Sequence, residues 1–235
     1  GDFYNDGATL DMAPLLADNA NFKKLPKMMQ TTYLREGVLQ AIPTGWNKGL
    51  PYVRSIRKDW LDNLGLDMPE TMDEFYTVIK AFTEDDPDGN GKDDTIGMTS
   101  AGVWMMADLF GAFGVPANHV MDHCITPDPH DDYRFNDGML KPGMKALLEW
   151  MREAYSNGYI DEEIWTNNSS AIRTKMYSGK YGSVTYSYSW ALGTSLENQI
   201  LKVEETADIG GILGLKSDYA QEYVYAAIES GPNIW

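Results

Sequence analysis

The run Asp85–Gly97, DDPDGNGKDDTIG, constrains this chain more than any other stretch. From Asp86, oxygen side chains stand at alternate positions: Asp86, Asp88 and Asn90, then Lys92, then Asp94. Gly91 is sixth, where a calcium loop of the EF-hand type turns sharply. Lys92 is seventh, where the backbone carbonyl is the ligand. The twelfth position is Gly97 and not the bidentate Glu of that loop, so one ligand must come from Thr95, from water or from elsewhere. The plain alternative is a solvated acidic turn. Against it, Glu84, Asp85, Asp86, Asp88, Asp93 and Asp94 repel one another unless a cation sits among them. The pattern predicts a structural calcium site that locks a helix to a strand, and its single copy excludes a paired calcium sensor.

The segments around the loop alternate between helix and strand signals. PYVRSIRKDWLDNLGL begins as a buried strand and becomes a helix ending near Gly65. DMPETMDEFYTVIKAFTEDD carries a capping box, Thr71 with Glu74, and a buried stripe of Phe75, Val78, Ile79 and Phe82. TIGMTS reads as a short strand and VWMMADLFGAFGV as a buried helix. NHVMDHCITPDPHDDYRFNDG reads as an excursion or hairpin. KPGMKALLEWMREAYSNGYI is amphipathic, with Met144, Leu147, Leu148, Met151 and Tyr155 on one face. SSAIRTKMYSGKYGSVTYSYSW is a helix then a strand, and ADIGGILGL a further strand. Near the start, short helical pieces break at Pro14 and Pro26. Alternation of this kind places the chain in the α/β class.

With 235 residues, 43% hydrophobic and 12% aromatic, the chain is long enough for one large or two small folded domains. Against 35 acidic residues stand 19 basic ones, a formal charge of −16. Nucleic acid and anionic membrane surfaces need a positive field, so both are poor partners. Cys124 is the one cysteine, which rules out an intramolecular disulfide. His119, His123 and His130 lie near it, but Pro127 and Pro129 break the segment and no Glu stands between the histidines as in a zinc-protease helix. No nucleophile elbow, P-loop or dinucleotide fingerprint is present.

Seven Trp and fourteen Tyr supply apolar ring faces suited to stacking on sugars. Trp60, Trp150 and Trp165 sit on or beside amphipathic helices and read as core. Trp46, Trp104 and Trp190 fall in polar, Gly-containing contexts and are open between core and ligand platform.

IRKDWLDNLGLDMPETMDEFYTVIKAF followed by DPDGNGKDDTIGMT resembles the extracellular solute-binding proteins of ABC importers, of the lipoprotein and alginate-oligosaccharide-binder type. Arg57–Leu66, Pro69–Phe75 and Asp86–Asp94 carry the likeness. The resemblance implies a periplasmic-binding-protein-like fold of two α/β lobes, here mostly the second lobe with part of the first. Residues 1–45 would belong to the first lobe and hinge approach, 46–207 to the second lobe, and 208–235 to a crossing back. It implies calcium held by Asp86, Asp88, Asn90, Asp94 and the Lys92 carbonyl. It also implies an oligosaccharide captured in an interlobe cleft by Trp46, Trp104, Tyr188 and Trp190, with Asn47 and Arg54 reading hydroxyls or a uronate. On this reading the protein is a monomeric, non-enzymatic, cell-surface lipoprotein partnered by an importer permease, with the signal peptide and lipid anchor outside this chain. A secreted, calcium-stabilised glycosidase or polysaccharide lyase is the alternative, and a purely structural calcium module a third.

Overall fold

In the computed structural model, residues 10–24, 30, 34, 35, 37–39, 52–102, 105–115, 125–127, 135–212 and 214–221 are described. The chain divides into two compact units, Gly1–Gly49 with Glu229–Trp235, and Leu50–Ile228.

In the smaller unit, α1 (Ala13–Leu16) and α2 (Ala20–Lys23) are single turns, and β1 (Leu34–Arg35) pairs antiparallel with β2 (Val38–Leu39). Pro14 lies in the first turn of α1, so it starts this helix instead of breaking it. The Asp11 carboxylate accepts from the backbone N–H groups of Ala13 and Leu39, at 3.0 and 3.1 Å, and ties helix to hairpin. Pro26 lies outside the described residues.

The larger unit is built on β3 (Tyr52–Arg57), the middle strand of an antiparallel sheet. Its neighbours are β6 (Ser183–Ser187) and β7 (Ile209–Ile212), with Val53 opposite Tyr186 and Arg54 opposite Ile212. The pairing of β7 with β3 keeps the chain in this unit past residue 208. The division near residue 49 falls a few residues after the expected 45. Side chains alternate across a strand, so Val53 and Ile56 face opposite ways and feed two separate cores.

The Ile56 core gathers α3 (Lys58–Leu64), α4 (Met72–Glu84), α5 (Ala107–Ala112) and α6 (Pro142–Ser156). Gly65 ends α3 in the left-handed region at φ +66, where a Cβ is penalised. Thr71 and Glu74 close the capping box of α4, and Phe75, Val78, Ile79 and Phe82 are all buried. On α6, Met144, Leu147 and Met151 are buried, but Leu148 is 51% exposed. The expected face was therefore one residue too wide. Trp60 is buried and Trp150 stacks near Phe75, whereas Trp165, also expected in the core, is 56% exposed.

The Val53 core gathers α7 (Ser169–Tyr177), α8 (Tyr188–Ala191) and α9 (Thr194–Ile200) beside β6. TIGMTS does not run as one strand: it forms single parallel bridges, Ile96 to Tyr181, Met98 to Ile160 and Thr99 to Val184. The expected hairpin is present as β4 (Ile125–Pro127) paired with β5 (Phe135–Asp137). His119, His123, Cys124 and His130 lie outside the described residues.

Candidate functional site

The acidic loop starts where α4 stops. Asp86 has φ +48, and Gly89 and Gly91 have φ +65 and +74, so three left-handed residues coil the backbone in six positions. The coil turns N–H groups inward. Asn90 and Gly91 donate to the Asp86 carboxylate at 3.1 and 2.9 Å, and Lys92 N–H donates to Asn90 Oδ1 at 2.8 Å. The Asn90 Nδ2 group donates to Asp88 at 2.8 Å and to Asp94 at 3.2 Å. The carboxylates of Asp86, Asp88 and Asp94 are thus drawn in around one amide. Burial pushes the Asp88 carboxyl up, and the charges of Asp86 and Asp94 add to this, against a hydrogen bond from Asn90 N–H. Lys180 Nζ bonds the other Asp94 oxygen at 2.6 Å, and this ammonium holds the Asp94 carboxyl below its ordinary value.

Among the described residues, no three His, Cys, Asp or Glu side chains already stand as a metal-ligand set. The donors gathered by the loop are nevertheless of the hard oxygen type that calcium selects. A cation among them would take the role now filled by the Asn90 amide hydrogens. Thr95, one expected source of the missing ligand, has another role for its hydroxyl hydrogen. It is buried, and its hydroxyl donates to the Phe82 carbonyl at 2.8 Å, closing the end of α4. Asn63 Nδ2 anchors the other side of the loop through the Pro87 carbonyl at 2.9 Å.

The aromatic residues meet at the end of β6. Trp190, 8% exposed, donates its indole N–H to the Tyr177 hydroxyl at 2.8 Å and meets the Tyr186 ring edge-on, centroids 4.8 Å apart. This packing puts Trp190 on the core side of the two alternatives. Arg173, which sequence reasoning missed, places its guanidinium 5.0 Å from the Tyr186 centroid and 6.0 Å from that of Trp190. Its Nη2 donates to the Tyr186 hydroxyl at 2.8 Å. Recurrence at i and i+4 on α7 (Arg173, Tyr177) was the available signal.

Arg54 does not serve as a reader of hydroxyls. It is 2% exposed, and its Nε and Nη2 grip the two Asp108 oxygens at 2.6 and 3.2 Å. Thr185 donates to the same carboxylate at 3.1 Å, so the pair fastens β3 and β6 to α5. Trp46, Asn47 and Trp104 lie outside the described residues. Tyr188 contributes its backbone to α8, and its side chain is not among those described.

A second buried pair supports α7 from below. Asp161 accepts from Thr99 Oγ1 at 2.6 Å, Asn167 Nδ2 at 2.8 Å, Glu163 N–H at 3.1 Å and Lys175 Nζ at 2.6 Å. Burial pushes its carboxyl up, but the hydrogen bonds, led by that of Lys175, outweigh burial and leave it below the ordinary carboxylate value.

No family model matches the chain. Individual proteins do. The polygalacturonan/rhamnogalacturonan-binding protein YtcQ of Bacillus subtilis is 31% identical over 183 residues, covering 76% of this chain and 34% of that protein. Lipoprotein LipO of the same organism is 31% identical over 214 residues, covering 86% and 38%. The fructooligosaccharide ABC transporter substrate-binding protein FusA of Streptococcus pneumoniae is 34% identical over 131 residues, covering 54% and 23%. The chain is homologous to the solute-binding proteins of ABC transporters. It spans about a third of the length of YtcQ and LipO.

The fold agrees with this likeness. An ABC-transporter-associated solute-binding protein of Bifidobacterium longum infantis, described as binding HMO, superposes with TM-score 0.66 at 23% identity, over 89% of this chain and 44% of that one. The alginate-binding protein AlgQ2, solved without calcium ion, gives TM-score 0.62 at 20% identity over 90% and 43%. FusA, solved as an EF-hand mutant with fructo-nystose, gives 0.55 at 23% identity over 76% and 36%. The chain therefore carries part of the two-lobed periplasmic-binding-protein fold.

Proposed function

We propose that this chain is part of the oligosaccharide-binding component of an ABC importer, acting by capture and not by chemistry. The observation that carries the reading is homology over most of the chain to proteins named for binding sugar chains. The whole protein would present its sugar to a permease from the outer face of the cell envelope, as a monomer held by a lipid anchor. Trp46, Trp104 and Tyr188 remain the residues proposed to stack on sugar, with Asn47 reading hydroxyls. YtcQ is named for acidic polymers and FusA for a neutral one, so the relatives leave the charge of the sugar open.

We further propose that calcium occupies the loop, held by Asp86, Asp88, Asn90 and Asp94 with the Lys92 carbonyl. The inward N–H groups on Asp86, the hard oxygen set and the left-handed coil support this. So do the FusA structure described by its EF-hand and the AlgQ2 structure described by its lack of calcium. The ion would neutralise three converging carboxylates and fix the junction between α4 and the segment before β6.

Two measurements test the pair. Calorimetric titration of the protein with oligosaccharides should show saturable binding and no cleavage products; turnover of any of them would favour a glycosidase or lyase and end the binding reading. Calcium at a hundredfold excess over its dissociation constant should stabilise the fold by about 2.7 kcal/mol. An unfolding midpoint that does not move between chelator and millimolar calcium would refute the metal site.

A further inference from the structure

The elements around Trp190 carry an unusual charge. β3, α7, β6 and α8 contain no Asp or Glu, in a chain of net charge −16. Their cations are Arg54, Arg57, Arg173 and Lys175. Carboxylates from elsewhere in the chain hold three of these: Asp108 holds Arg54, Asp59 holds Arg57, and Asp161 with Glu163 holds Lys175. Among the described residues, no carboxylate stands within ion-pair distance of Arg173.

Arg173 is exposed, yet it is fixed in place. Two aromatic rings lie within cation–π range, and the Tyr186 hydroxyl takes one N–H at 2.8 Å. Tyr186 and Trp190 are themselves packed, and Tyr177 locks Trp190 through its indole N–H. The guanidinium has five N–H donors, and among the described residues only Tyr186 accepts from it. A positioned, uncompensated guanidinium with a free fork is the geometry that binds a carboxylate through two parallel hydrogen bonds. Because the ring contacts already hold the side chain, little rotamer freedom remains to be lost on binding.

We propose that Arg173 is a specificity-determining residue that receives the carboxylate of an acidic oligosaccharide, a chain built on hexuronates. This rests on the oligosaccharide-binding reading above and names its substrate class. The overall negative charge of the chain disfavours such a ligand at long range, and at contact distance the guanidinium of Arg173, with no described carboxylate beside it, supplies the attraction.

The test uses this chain with calcium present, titrated with an oligogalacturonide and with the same oligosaccharide methyl-esterified to neutrality. The acid form should bind more tightly than the ester, and added salt should narrow the gap. Arg173→Gln should weaken the acid form by about tenfold, roughly 1.4 kcal/mol, and leave the ester unchanged. Arg173→Lys should recover part of the loss, since it keeps the charge but not the fork. Circular dichroism of both variants should match the parent. If the ester binds as well as the acid, or Arg173→Gln loses nothing on the acid form, the inference is overturned while the binding reading stands. If neither form nor any other oligosaccharide binds, the binding reading falls and this inference with it.

Discussion

Lys175→Met is the substitution whose consequence can be worked furthest. It deletes the ammonium that meets Asp161 at 2.6 Å while keeping most of the apolar stem. Asp161 stays buried at 3% side-chain exposure, with three neutral donors and no counter-charge. Removing one partner of a buried pair costs about 3–5 kcal/mol. Lys175 is partly exposed and the retained donors still solvate the carboxylate, so solvent screening lowers the expectation to about 2–3 kcal/mol. Removing both charges, as Lys175→Met with Asp161→Asn, should cost less than the single change, because no unpaired charge is then left inside. The pH dependence has a definite sign. In the parent, Asp161 lies below its unfolded value of about 3.9, so its contribution is present above that value and is lost as pH falls through the lower folded one. In the variant, only the three neutral hydrogen bonds oppose burial, so the carboxyl should rise relative to the parent. The penalty should then be largest near neutrality and shrink on acidification, as the acid becomes protonated. Urea unfolding of the three proteins across neutral to mildly acidic pH measures all of this. A penalty that does not change with pH, or a double variant no better than the single one, would refute the reasoning.

Three further substitutions probe the elements around the acidic loop. Thr71→Ala removes one half of the capping box and should cost about 1 kcal/mol, read as a lower urea midpoint at unchanged slope. Gly97→Ala would drive a Cβ into the Ile79 carbonyl on α4, a backbone atom that cannot swing aside, and should cost at least about 2 kcal/mol. Gly65→Ala meets open space and carries only the left-handed backbone penalty of roughly 1 kcal/mol, so its unfolding midpoint should fall less than that of Gly97→Ala.

What the sequence made legible was local. The capping box, the αL residue at Gly65 and the buried stripe of α4 each involve residues within a few positions, where geometry and residue type are tightly coupled. The coiling of the acidic loop was legible for the same reason. The buried ion pairs were not. Arg54 and Asp108 are 54 positions apart, and nothing in either neighbourhood names the other. A signal did exist on one side: YVRSIR places two arginines in a strand otherwise apolar enough to be buried on both faces, which requires an acid for each; Asp59 serves Arg57 from two positions on, and Arg54 must find its partner farther away. Reading Arg54 as a ligand contact ignored that requirement. Trp165 failed differently. Proximity to an amphipathic helix was taken as burial, but the residue lies past the end of α6, where the helical period no longer says which way a side chain faces.

The two proposed sites are connected through the chain between them. Lys180 binds Asp94 with its side chain, while its carbonyl accepts from Ile96 at 2.9 Å and Tyr181 bridges Ile96 in the backbone. Two residues later Gly182 packs against Phe82, so closely that no Cβ would fit, and β6 begins at Ser183. The end of α4, the loop and the start of β6 are thus one clamped junction, and β6 carries Tyr186, the ring on which Arg173 rests. A cation in the loop would compete with Lys180 for Asp94 and stiffen that junction from its acidic side. If the coupling is real, calcium should tighten the acidic sugar more than its neutral ester, because it acts through the strand that holds Arg173. Equal calcium effects on the two ligands would mean that the loop supports the fold as a whole and leaves the proposed specificity residue untouched.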